Sequence, residues 1–120
     1  MIVRKFMQWA ATASSAERAE GAGSLARAYL YAELETQDRR EAEVALTALL
    51  DDPAPSVRKA LSEAFAGASE APPAIVVALA NDQSDVAAPV LSRSPLLGDG
   101  ELIDCAAIGD AFAQAAIALR

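Results

Sequence analysis

The chain falls into short segments whose apolar residues return every three or four positions, the spacing of one helix face. Ile2, Val3, Phe6, Met7, Ala10 and Ala13 share such a stripe, which predicts an amphipathic helix over 2–13. Ser14 and Glu17 follow at capping-box spacing, where the hydroxyl accepts an orphan amide and the carboxylate reaches back to the cap. A second helix is predicted over about 16–34. Gly21 and Gly23 each weaken it by about 1 kcal/mol relative to Ala, so a kink or a break into two pieces is expected. A third helix within 35–52 places Ala42, Ala45, Leu46 and Leu49 on one face. It stops at Asp52-Pro53, because the residue before proline is pushed out of the α region.

Ser56 reads as the N-cap of a fourth helix, in which Val57, Ala60, Leu61, Ala64 and Phe65 form the cleanest stripe of the chain. Gly67 sits where a left-handed residue would close that helix. Pro72 and Pro73 suit the opening of a fifth, since first-turn amides have no intrahelical partner. Ser84 or Asp85 caps a sixth, with Pro89 expected close to its start. A seventh over about 101–108 and an eighth from Asp110 to the last residue complete an all-α reading of about eight short helices.

The pattern repeats. "VALTALLDD" (44–52) aligns with "AIVVALAND" (74–82) at an offset of 30, placing Leu49 on Leu79 and Asp52 on Asp82. Past the turn the offset is 29: Val57 falls on Val86, Ala60 on Pro89 and Leu61 on Val90. The deletion lies in the loop, where length changes are tolerated best. A fainter copy, "AAIGDAFAQAAIA" (106–118), sets Asp110 on Asp82 and Ile117 on Val90. Each unit is a helical hairpin whose apolar stripe is too small to be buried alone, so stacking is the expected solution. The expected organisation is one domain over 1–120, with capping helices in 1–36 and hairpins at 37–67, 72–93 and 99–120. Asp52 and Asp82 are expected to cap the second helices of their hairpins, together with Ser14, Ser56 and Ser84 as structural caps.

"LLDDPAPSVRKALSEAFA", with its Asp, Pro, Val and Arg, is similar to the inter-helix signature of HEAT-like repeats. The run "PPAIVVALANDQSDVAAPVLSRSPLLGDGELIDCAAIG" resembles an uncharacterised alphaproteobacterial family, domain of unknown function 2336, over roughly residues 40–120. The resemblance implies a right-handed α-solenoid of stacked hairpins in the bacterial cytoplasm, and supplies no activity or cofactor. It also implies that longer relatives continue past this point. Either the chain is a fragment of a longer protein, or its last helix is covered by a partner or by a second copy, as in a homodimer through the terminal repeat.

Composition narrows the function classes. Thirty of the 120 residues are alanine and aromatics are 5%, so a core must come from Ala, Leu, Val and Ile with helices at close approach. The net charge of −7 is uneven: −1 over residues 1–59 and −6 over 60–120, which opposes binding to the nucleic-acid backbone. No apolar run reaches the roughly 18 residues of a membrane span. The single cysteine, Cys105, lies between apolar neighbours and reads as a small buried hydrophobe in a reducing compartment.

The chain contains no histidine, which removes Ser-His-Asp and Cys-His nucleophilic machinery and the commonest metal ligand. "GAG" and "GDG" lack the strand and the lysine of a phosphate loop, and "DQSD" and "GDGE" lack calcium-loop spacing. No catalytic, cofactor or metal site is expected. Arg58 stands near the start of its helix, a poor place for a cation, and pairing with Asp82 of the neighbouring turn is the expected reason. The functional expectation is a non-enzymatic protein-interaction or scaffold module whose concave face includes Arg58, Ser62, Arg93 and Gln114. The alternative is a peripheral membrane protein using "IVRKFMQW", in which Trp9, Arg4 and Lys5 suit an interfacial helix.

Overall fold

The computed structural model describes residues 2–120, with side chains from residue 4 onward, so Ile2 and Val3 of the first apolar stripe lie outside the described side chains. Eight α-helices and no strands occur among the described residues: α1 (Ile2–Thr12), α2 (Ser15–Tyr31), α3 (Thr36–Leu49), α4 (Pro55–Phe65), α5 (Pro73–Ala80), α6 (Ser84–Arg93), α7 (Asp99–Ile108) and α8 (Ala111–Ala118).

Local chemistry explains most of the boundaries. Ser14 caps α2 as expected: its hydroxyl accepts the Glu17 N–H at 3.1 Å, and the Ser14 N–H donates to the Glu17 carboxylate at 3.0 Å. Rather than the two pieces that the glycines allowed, α2 is one helix through both of them. A Cβ at Gly21 would stand 2.6 Å from the Trp9 ring, so the glycine lets α1 lay its aromatic face on α2. The helix propensity lost there is offset by a tight inter-helix contact.

Helix α4 opens on Pro55 with Ala54 as its N-cap, so Ser56 is an exposed residue inside the first turn and caps nothing. Proline's preset φ and missing amide make it the better first residue. Pro73 opens α5 in the same way, behind Pro72. No described residue has positive φ, so Gly67 does not supply the expected left-handed closure; α4 runs out through Ala66, still in the right-handed region. Helix α6 begins at Ser84 after Gln83, and Ser84 makes no cap. Pro89 lies inside α6, past its first turn, and costs it one backbone bond while the helix continues to Arg93.

The even-numbered helices pack in chain order, α2 on α4, α4 on α6 and α6 on α8. The odd helices flank them, with α1 and α2 against α3, and α5 against α6. Principal extents of 41 × 29 × 16 Å describe a slab two helices thick. Between the layers lie Leu46, Val57, Leu61, Phe65, Val76 and Leu79, each fully buried, and then Val86, Val90 and Leu91 further along. Tyr29 meets Phe65 edge-on at 6.3 Å between centroids, and the Arg39 guanidinium covers the Tyr29 ring at 4.2 Å. Cys105 is buried, its thiol 3.6 Å from the Ala80 carbonyl oxygen.

Candidate interaction face and the arginine rungs beneath it

The loops that join each odd helix to the following even one lie along one edge of the slab and are tied together by side chains. From the fourth residue of α2, Arg18 donates Nε and Nη2 to the two carboxylate oxygens of Asp52 at 2.9 and 3.1 Å. Its Nη1 donates to the Ala13 carbonyl oxygen at 2.9 Å. From the fourth residue of α4, Arg58 repeats the arrangement on Asp82 at 2.8 and 3.3 Å, and its Nη1 donates to the Asp52 carbonyl oxygen at 2.6 Å. Each guanidinium therefore spans one joint and grips the next through a bidentate pair, a geometry lysine cannot provide.

Arg58 thus stands beside Asp82, and the cation near the helix start is held by that carboxylate against the unfavourable dipole. Asp52 and Asp82 do not act as helix N-caps in the expected sense. Asp52 accepts the Ala54 N–H and Asp82 the Gln83 N–H within the loops, while their remaining capacity goes to the arginines. Burial pushes the Asp52 carboxyl up, but the Arg18 bonds, the Ala54 N–H and nearby Arg58 outweigh it and hold it below the usual carboxylate range. Asp110 is the true N-cap of α8, accepting the Ala113 N–H at 3.0 Å and the Ser84 hydroxyl at 2.6 Å. Those two bonds, Ser84 first, lower its carboxyl.

Arg18 was not legible as a rung, because the first turn lacks the aspartate that marks the later ones at Asp52, Asp82 and Asp110. The signal that could have found it is positional: like Arg58, it is the fourth residue of its helix. Arg120 was also missed; it donates to the Leu91 carbonyl oxygen at 2.7 Å and to that of Ser94, closing the C-terminal end of α6.

The four residues expected on a concave face do not share one. Ser62 is fully buried, and its hydroxyl has no partner among the described residues. Arg58 is committed to the joint, and Gln114 donates its amide to the Ala106 carbonyl oxygen of α7. Arg93 is exposed at the end of α6. The reason is rotational: adjacent residues stand 100° apart on a helix, and the outward positions of α4 are Lys59 and Glu63, one step beyond those expected.

The outward face of the even row carries two grooves floored by small side chains. Gly23 faces Ala60 and Ala64 between α2 and α4, in a groove of about 480 Å³ rimmed by Glu20, Arg27 and Tyr31. Ala88 and Pro89 face Ala115 and Ala116 between α6 and α8, in a groove of about 300 Å³ that also reaches Lys59 on α4. Phe112 and Leu119 stand beside the second groove, 58% and 80% exposed. Trp9 is half-exposed, with one side of its ring against α2 and Phe6 at 5.5 Å, so it is engaged in the fold.

No group of three or more metal-ligating side chains gathers among the described residues. No described helix is long and apolar enough to cross a membrane. No family model, curated protein or solved structure matches the chain.

Proposed function

We propose that the chain is a non-enzymatic docking module: a right-handed, HEAT-like α-solenoid whose even-numbered helices present a face to a partner protein. The observation that carries this reading is the pair of grooves floored by Gly23, Ala60, Ala64, Ala88 and Ala115, with Tyr31, Phe112 and Leu119 exposed along them. Small floors admit side chains from outside, and exposed aromatic and aliphatic anchors are the usual centres of protein interfaces. The recurring rungs and the chain-order packing support the stacked-hairpin reading, with the α1–α2 pair as a further unit that carries its own arginine. The resemblance to the uncharacterised HEAT-like family adds to it, as does a cytoplasmic setting for a chain with a single buried thiol.

Site-specific photo-crosslinking in the native cell tests the face. A crosslinker at Ala64 or Ala115 is expected to trap a discrete partner, while one at Val44 or Ile103 on the odd helices is not. The same products from all four positions, or none from the groove positions, would sink the assignment. A membrane-surface role for α1 is the weaker reading, because Phe6 and Trp9 are already used in packing.

A further inference from the structure

Two joints close on an arginine from the fourth residue of an even helix; the third does not. The fourth residue of α6 is Ala87, whose side chain ends at Cβ. The acceptors nevertheless recur. Asp110 offers its carboxylate from the next joint, as Asp52 and Asp82 do, and Asp82 borders the same place. Ser84 bridges part of the distance through Oδ1 of Asp110, and among the described residues no side chain donates to Oδ2. A cleft of about 310 Å³ opens at this place, bordered by Asp82, Ser84, Ala87, Cys105 and Asp110. Its apolar wall, with Ala87, Leu91 and Ala113, can receive the methylenes of a long side chain.

We propose that this cleft binds an arginine side chain supplied by a partner protein, in trans, as the first two joints bind Arg18 and Arg58 in cis. The two internal copies define the ligand chemistry. A planar guanidinium can grip a carboxylate with two nitrogens and a main-chain carbonyl with a third, whereas an ammonium is a point donor. The charge of −6 over residues 60–120 attracts the cation before it docks. The proposal rests on the docking reading only for the source of the arginine, and a small-molecule probe separates the two.

The experiment is an amide NMR titration of the full chain with N-acetyl-arginine methylamide, beside its lysine counterpart at equal ionic strength. Saturable shifts at Ser84, Ala87 and Ala113 are expected with arginine, and about tenfold weaker binding with lysine. D110N, which keeps an N-cap-competent side chain, is expected to abolish the saturable response. A87R is expected to fill the cleft in cis, raising the melting temperature by a few degrees and removing the response. Equal binding of lysine and arginine, or binding that survives D110N, would overturn the proposal. So would an A87R protein that folds and still binds the probe. A wild-type protein that shows no saturable arginine response, with crosslinks intact at Ala64 and Ala115, would refute this site and leave the docking face standing.

Discussion

The rung between Arg58 and Asp82 gives the strongest quantitative test of how the hairpins are coupled. Its two charged bonds measure 2.8 and 3.3 Å, and the side chains are only 15% and 18% exposed. Opposite charges about 4 Å apart attract by about 4 kcal/mol at an effective dielectric constant near 20. Part of that is cancelled by stripping water from both groups. A net coupling of about 1.5–3 kcal/mol is expected, above the roughly 0.2–1 kcal/mol of fully exposed pairs. The experiment is a double-mutant cycle with R58M, D82N and the pair, each unfolded in urea and followed by far-UV circular dichroism. Met keeps most of the arginine stem, and Asn keeps the acceptor for the Gln83 N–H, so each change chiefly removes charge. R58M also loses the bond to the Asp52 carbonyl oxygen and should cost about 1 kcal/mol more than D82N. The coupling should fall only modestly between low and high salt, because the pair is largely sheltered. A coupling below about 0.5 kcal/mol would place the rung among ordinary surface pairs and refute the reasoning.

Other perturbations test other parts of the fold. Ser62→Ala removes a buried hydroxyl without a partner and should raise stability by about 1 kcal/mol in chemical denaturation; a loss of similar size would mean that the hydroxyl is satisfied. Gly21→Ala places a Cβ against the Trp9 ring and should cost about 1–2 kcal/mol, with a red shift in the emission of this single tryptophan. In a Trp9→Ala background the same substitution should instead stabilise by up to about 1 kcal/mol, from helix propensity alone. Asp52 has a lowered folded pKa, so its contribution is complete above the unfolded value near pH ~4 and is lost as pH falls through the lower folded one. Acid titration of D52N should show a flatter loss of stability below that pH than wild type, and parallel curves would contradict the linkage. Burial, with Asp104 and Glu101 nearby, raises the Cys105 thiol. Labelling by a thiol reagent at neutral pH should accordingly be slow in the folded protein and fast in urea.

Periodicity alone carried the all-α reading and the positions of the helices, because each element has enough apolar residues at helical spacing to mark its buried side. Ser14 and Glu17, Pro72 and Pro73, and the Arg58–Asp82 pair were legible for a related reason: the interaction runs between residues whose spacing or repeat register identifies the partner. Where competing local signals met, reading failed. Ser56 and Ser84 looked like caps, but Pro55 had already started α4, and Ser84 was drawn to Asp110 across a joint.

Tertiary structure decided what depends on contacts between distant segments. Gly21 reads as a weakness in isolation and is a clearance for Trp9 in the fold, since only packing brings α1 onto α2. The outward face of α4 lies one residue away from the position its polar side chains suggested, because 100° of rotation separates buried Ser62 from exposed Glu63. The sequence by itself determined that the chain would form short helices joined by acidic turns. Packing of the helices determined that Arg18 and Arg58 become rungs, and that Ala87 leaves a cleft where a third could lie: carboxylates more than twenty residues away find their arginines only once the helices are packed.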